Sequence, residues 1–246
     1  MAEPLAIYRL GRRDYVQVLN LQRALCRARL AGHLRQDLLL LVEHQPVVTL
    51  GRGTKPDSLP VSPSDLAARG IAVHEVERGG DVTYHGPGQL VGYPIIDLQA
   101  HRPDLHWYLR TLEAALIDAL DVLGVVGQRV DGLTGVWVEG RKIASIGVHV
   151  KQWVTFHGFA LNVTTRLDAF DLIVPCGIKD VVMTSLAHEL ARSDSPTTLW
   201  QETESVVAGA MARAFGLSPL EADPAELSGI EGSFQEPLPA NHTGAG

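Results

Sequence analysis

Cysteine is scarce in this chain. Cys26 and Cys176 are the two among 246 residues, too few for a disulfide framework, and that usage points to a reducing cytoplasm. Long hydrophobic runs are missing too. No apolar stretch approaches the roughly 20 residues that span a bilayer, and Met1-Ala2-Glu3-Pro4 lacks the basic region and apolar core of a secretory signal. The expectation is a cytoplasmic protein with no membrane contact. Positive charge is in deficit: the formal net charge of -7 argues against a non-specific nucleic-acid binder. Several signature motifs are also absent. There is no GxxxxGK[ST] phosphate loop, and Gly86-Pro87-Gly88 is not followed by the spacing of a dinucleotide fingerprint. His74-Glu75 and His188-Glu189 lack the second histidine of HExxH, and Ile143 two residues before Ser145 breaks GxSxG. No CxxC pair is present, which argues against zinc.

What is present describes a globular protein. The hydrophobic fraction of 46% in a chain of this length is enough to bury a sizeable core. Asp14 reads as the N-cap of a helix to Ala31, with Val18, Leu21, Leu25 and Ala28 on one stripe. Arg9, Arg12, Arg13, Arg23, Arg27, Arg29 and Arg35 lie early, either as a solvated face or as a dock for acidic partners, whereas the chain after Thr198 is mostly acidic. Cys26 lies beside the apolar stripe as a packed thiol. The run Leu38-Leu39-Leu40-Leu41-Val42 has the length of a buried central strand, and Val47 to Leu50 reads as a second one. Ser64 is expected to cap a short helix ending at Gly70. Strands are expected over Ile71 to Val76, Leu90 to Leu98, Gly135 to Val138, Lys142 to Val150 and Val154 to Val163. Asp104 to Gly124 is a helix by its leucine spacing, and Ser195-Pro196 opens another to Phe215. The fold class is α/β (α+β), with mixed β-sheets flanked by helices. Residues 1–217 form a single expected domain; residues 218–246, rich in Pro, Glu, Ala, Ser and Gly, read as a poorly ordered tail.

The chain is organised around Arg78-Gly79-Gly80-Asp81-Val82-Thr83-Tyr84-His85-Gly86-Pro87-Gly88-Gln89. Glycines allow positive φ and close approach of backbone N–H groups to a ligand, and the polar side chains supply donors. A loop between two strands is the expectation, able to wrap around something small. Cys176, between Pro175 and Gly177, sits where the backbone must turn. A thiol there can be a nucleophile, a ligand or a packing residue. Lys142 is the odd residue in its strand: alternation sets it on the face of Ala144, Ile146, Val148 and Val150. A lysine so placed either snorkels to the rim or is desolvated, and a desolvated one beside a thiol can activate it. Activation has a ceiling. A thiol of pKa about 8.5 is about 3% ionised near neutral pH, so full ionisation gains roughly 30-fold, about 2 kcal/mol. Carbonyl positioning and oxyanion stabilisation must supply the rest.

Four blocks carry a family resemblance: RGGDVTYHGPGQ (Arg78 to Gln89), TGVW with KIASIG (Thr134 to Trp137, Lys142 to Gly147), HGFALN (His157 to Asn162), and Pro175-Cys176-Gly177. The chain resembles the lipoyl(octanoyl) transferases, relatives of the lipoate and biotin protein ligases, from about Leu5 to Phe215. The first block is shared in part with the ligases; Lys142 and Cys176 together single out the transferases.

The resemblance implies a biotin/lipoate-ligase-like catalytic domain that moves an octanoyl group to Cys176 as a thioester. The group then passes to a specific lysine of a lipoyl domain. Lys142 matches the residue that lowers the thiol pKa. Arg78, Gly79, Gly80, Asp81, Val82, Thr83, Tyr84, His85, Ser145, Ile146, Gly147, Gly158, Phe159 and Ala160 match acyl-substrate contacts. The implied donor is octanoyl-phosphopantetheine on acyl carrier protein, with no ATP, metal or other cofactor. The implied acceptors are lipoyl domains of 2-oxoacid dehydrogenase complexes and the glycine cleavage H protein. An ATP-dependent lipoate or biotin ligase, and a non-catalytic module that binds carrier domains, are the alternatives.

Overall fold

The computed structural model describes residues 3–174, 181–190 and 195–234. Its centre is β2 (Asp37–His44), whose residues Leu38 to Val42 are buried on both faces. The uninterrupted apolar run has a direct cause. Leu39 and Leu41 enter one core cluster, while Leu38, Leu40 and Val42 enter the other. A strand covered on both sides cannot alternate with polar residues.

Around it lies a seven-stranded mixed sheet in the order β10-β1-β2-β6-β9-β8-β7. Its members are β1 (Pro4–Arg13), β6 (Gln89–Ile95), β7 (Val136–Val138), β8 (Arg141–Lys151), β9 (Val154–Asn162) and β10 (Ser218–Ala222). Two long helices, α3 (Leu105–Val122) and α5 (Pro196–Ala214), cover one face. Helix α1 (Tyr15–Leu30) covers the other, capped by Asp14 accepting from the Gln17 N–H at 3.0 Å. A smaller sheet, β4-β3-β5, joins β4 (Ala72–Glu75), β3 (Val47–Leu50) and β5 (Val82–His85). The short helices are α2 (Pro63–Ala68), α4 (Leu186–Leu190) and α6 (Ser228–Ser233). Among the described residues, no helix is long and apolar enough to cross a membrane.

Several local expectations change. Val82 to His85, read as loop, is a strand antiparallel to β3. Its alternation was hidden among glycines: Val82 and Tyr84 pack with Val48 and Leu66. The cap of α2 is Ser62, not Ser64, because Pro63 occupies the first helical turn and the Ser62 hydroxyl accepts from the Asp65 N–H at 3.1 Å. The boundary at 217/218 also does not hold. Residues Ser218 to Ala222 pair with β1 in parallel, α6 follows after a 3-10 turn, and Leu227 joins the core. Composition suggested a loose tail, but edge pairing and one buried leucine order residues 218–234; the remainder, 235–246, lies outside the described residues.

The early arginines are not a free cationic face. Arg9 pairs with Glu204 at 3.0 Å and Glu221 at 2.7 Å, both from the acidic C-terminal third. Arg12 meets Glu43 at 2.7 Å, Arg23 grips Glu77 with two bonds of 2.8 Å, and Arg29 reaches Asp37 at 3.1 Å. Arg27 donates to the Phe234 carbonyl. Only Arg9 among these pairs meets the acidic C-terminal segment; the others pair with acids earlier in the chain, and together these arginines tie separate segments to one another.

Candidate active site

Strands β8 and β9 run antiparallel with Ser145 opposite Ala160, Ile146 opposite Phe159 and Gly147 opposite Gly158. Over this paired floor lies the Arg78 to His85 segment, and between them is a narrow cavity. Of the residues expected to contact substrate, Arg78, Gly80, Asp81, Val82, Thr83, His85, Ser145, Ile146, Gly147, Gly158, Phe159 and Ala160 line it. Gly79 and Tyr84 do not. The Gly79 N–H donates to the Val148 carbonyl at 2.9 Å, docking the loop on β8. Tyr84 points to the other side of β5, where its ring meets Phe170 edge-on. The narrow, mainly apolar lining suits a slender, chain-like ligand.

The glycines are needed for approach distance. A Cβ on Gly51 would lie 2.4 Å from the Gly80 carbonyl oxygen, and one on Gly158 would lie 2.1 Å from that of Gly92. Arg78 is buried, so its guanidinium needs acceptors. It donates to the Thr49 carbonyl at 2.7 Å, the Thr49 hydroxyl at 2.8 Å and the Gly79 carbonyl at 3.1 Å. Asp81 accepts from the Ser58 hydroxyl at 2.7 Å, and the Ser58 carbonyl accepts from the Val174 N–H at 2.9 Å. The glycine segment thus anchors the chain just before residue 175.

Sequence reasoning missed Tyr15, Val91, Tyr93 and His157, which also line the cavity. His157 stood inside a quoted block; the others come from α1 and β6 and carried no local signal. Tyr15 stacks on His85 with ring centroids 5.9 Å apart and meets His44 edge-on at 5.2 Å. The His85 Nδ1 lies 2.8 Å from Gln89 Oε1. Because the Gln89 amide nitrogen already donates to Tyr84 and Asn162, its oxygen accepts, and His85 carries its proton on Nδ1. His44 donates from Nδ1 to the Arg13 carbonyl and accepts from the Tyr93 hydroxyl at 2.8 Å. Burial, reinforced by the neighbouring histidine, pushes His85 down to about 3, and burial pushes His44 down to about 4. Burial also lowers His157. Glu77 runs against its own burial: the His157 ring nitrogen, 3.7 Å away, and the two bonds from Arg23 hold its carboxyl below the ordinary carboxylate range.

These neutral histidines predict acid sensitivity. Both folded pKa values lie below the unfolded value near 6.5, so the unfolded chain binds more protons as pH falls. Their contribution is complete above about pH 6.5 and is lost progressively towards about 4 and 3. Melting temperature is expected to fall from pH 7 to pH 5, with a shallower slope in His85→Asn than in the parent chain. Equal slopes in the two proteins would remove His85 from this account.

Lys142 is buried at 2% exposure, with Nζ 5.0 Å from the centre of the Trp137 ring. It does not share a face with Ala144. Val136 pairs with Ala144, but the next residue, Trp137, pairs with Lys142, so Ile143 is an extra residue in β8. This bulge turns Lys142 to the Trp137 side, while Ile143 and Ala144 both enter the helix-covered core. The Lys142 N–H donates to the Val182 carbonyl at 2.8 Å, and the Lys142 carbonyl accepts from the Thr184 N–H at 2.9 Å. The chain after residue 181 is therefore zipped onto the lysine. Asn162 donates to the Thr184 carbonyl at 2.9 Å, linking that segment through Gln89 to His85. Cys176, with Pro175 and Gly177, lies outside the described residues. Cys26 is buried on α1, and burial pushes its thiol up to about 11.

Comparison with known proteins agrees with this architecture. The family model for the lipoyl protein ligase A/B catalytic domain matches residues 14–211. An octanoyltransferase of Nostoc punctiforme is 45% identical over 221 residues, covering 90% of this chain and 93% of that protein. An octanoyltransferase of Gloeobacter violaceus is 50% identical over 203 residues, covering 82% and 86%. Among solved structures, a lipoate-protein ligase A bound with ATP superposes with a TM-score of 0.73 at 14% identity, covering 94% of this chain and 93% of that one. The bipartite lipoate protein ligase of Thermoplasma acidophilum gives 0.71 at 14% identity, covering 94% and 91%. At such identities these two structures speak for the fold.

Proposed function

The chain belongs to the lipoyl protein ligase A/B catalytic-domain family and, within it, to the octanoyltransferases, and from that premise we propose how its residues carry the transfer. The substrate class is an octanoyl thioester, the donor octanoyl-phosphopantetheine on acyl carrier protein, and the acceptor a lysine amine of a lipoyl domain. The observation that carries this reading is the cavity walled by the Arg78 to His85 segment and floored by Ser145 to Gly147 and Gly158 to Ala160. Val91, Ile146, Phe159 and Ala160 give it apolar surface for an aliphatic tail. Neutral His85 and Tyr15 complete the wall.

In the first step the Cys176 sulfur attacks the thioester carbonyl after Lys142 takes the thiol proton. The tetrahedral intermediate collapses, the bond to the pantetheine sulfur breaks, and the lysine ammonium returns a proton to that leaving thiol. In the second step the neutral amine of the acceptor lysine attacks the octanoyl-Cys176 carbonyl. An amide forms, the Cys176 thiolate leaves, and the amine's proton is taken up by Lys142 or solvent. Thioester exchange is nearly balanced in free energy and amide formation is downhill, so no nucleotide is consumed.

The test is intact-protein mass spectrometry after mixing the enzyme with octanoyl-carrier protein, without ATP. An octanoyl adduct on wild type, absent in Cys176→Ser and discharged by added lipoyl domain, is the expected result. Transfer that requires ATP and survives in Cys176→Ser would replace this reading with that of a ligase.

A further inference from the structure

Helix α3 carries one residue that its apolar inner face does not explain. Glu113 is fully buried, on a helix whose neighbouring residues Leu112, Ala115 and Leu116 belong to the main core. A carboxylate there is costly unless it is paired and hydrogen-bonded. Its two oxygens have different partners. Oε2 accepts from Arg110 at 2.6 Å and from Arg129 at 3.0 Å, whereas Oε1 accepts from the Gly135 backbone N–H at 3.1 Å. Gly135 has φ +137, a left-handed-side value that favours glycine. A Cβ there would lie 2.6 Å from the Ala144 carbonyl oxygen, 2.9 Å from Lys142 Cε and 3.4 Å from Lys142 Nζ. The backbone of Gly135 is therefore the surface along which the lysine side chain lies, and Glu113 holds that surface in place.

We propose that Glu113 is a positioning residue for Lys142, acting through the Gly135 peptide. The proposal rests on the reading of Lys142 given above. Tying the 126–135 connection to α3 would need no more than the arginine bonds on Oε2. The second oxygen is aimed at a peptide that borders the lysine side chain. Glutamine cannot replace it, because its single acceptor oxygen can serve Gly135 or the arginines but not both.

The test is a double-mutant cycle read as single-turnover acylation of Cys176 from octanoyl-carrier protein, using Glu113→Gln, Lys142→Met and their combination. A misplaced general base costs on the order of 10- to 100-fold, so Glu113→Gln is expected to lose that much in the parent. It is expected to lose under about 2-fold in the Lys142→Met background, since coupled residues are not additive. An equal loss in both backgrounds marks a general structural effect and overturns the proposal. So does full activity of Glu113→Gln beside a slow Lys142→Met. Full activity of Lys142→Met alone identifies failure of the underlying reading instead. If Glu113→Gln does not fold, Glu113→Asp, too short to span both partners, goes through the same cycle with the same outcomes.

Discussion

Lys142→Met is expected to slow formation of the octanoyl-enzyme roughly 10^2- to 10^3-fold at neutral pH while leaving the protein folded. Two losses combine. Without the amine, Cys176 returns to an ordinary thiol, and the ionisation deficit is worth roughly 30-fold. Proton delivery to the departing pantetheine sulfur is lost as well, and such general acid catalysis contributes typically 10^2 or more. The two overlap, so their product is an upper bound. Methionine preserves most of the length and the apolar stem against Gly135 and Trp137, so the packing around the site is retained. The pH profile separates the losses. In the variant, acylation is expected to rise about tenfold per pH unit until about pH 8.5, recovering the ionisation part and not the proton-transfer part. The measurement is single-turnover acyl-enzyme formation between pH 6 and 9. A variant whose profile matched wild type would dismiss Lys142 from the mechanism. The buried thiol of Cys26, raised to about 11, provides an unreactive internal standard when the same variants are alkylated.

Gly158→Ala carries the largest expected structural effect. The new methyl would sit 2.1 Å from the Gly92 carbonyl oxygen and 2.7 Å from Pro94 Cδ. Both belong to β6, the neighbour of β9 in the large sheet, so no side-chain rotation relieves the contact. Overpacking against flexible neighbours costs about 1–3 kcal/mol, and an obstacle made of backbone belongs at or above the top of that range. In a chain of this size about 3 kcal/mol lowers the melting temperature by roughly 6–12 °C. Gly147→Ala is the milder control: its methyl meets the Gly79 carbonyl oxygen at 3.0 Å and Arg78 Cδ at 3.1 Å, and the loop and the arginine can shift a few tenths of an ångström. Thermal melts of both variants check the ranking. The acyl slot should follow it, with Gly158→Ala losing octanoyl transfer more than transfer of a short acyl chain. Equal melting of the two variants would mean that the β6–β9 approach is looser than the distances state.

The structure also redirects one earlier expectation. Charge reversal at Arg29 breaks its bond to Asp37, and change at Arg27 its bond to the Phe234 carbonyl. A rate change in such variants would report lost packing as readily as a lost docking surface. Exposed residues outside these pairs are the better probes of the proposed encounter with carrier protein.

How much was readable in advance divides by the range of the interaction. Helix α3 was legible because leucine spacing and the Asp104 cap act within a few residues, and β2 because five adjacent apolar residues admit only burial on both faces. The Arg78 to His85 part of the cavity wall was legible in the same way, since glycine and polar types cluster there; Ser145 to Gly147 and Gly158 to Ala160 came from the family resemblance. The side on which Lys142 lies was decided elsewhere. One extra residue, Ile143, inverts alternation, and a bulge exists only relative to a partner strand. The aromatic wall from Tyr15 and Tyr93 needed α1 and β6 to converge on His85, and the order of residues 218–234 needed an edge offered by β1 some 200 positions away. Sequence alone determined which chemical groups this protein owns and which short elements present them. Only tertiary structure decided which of those groups face one another, because pairing between distant strands is settled by packing energies that no local pattern encodes.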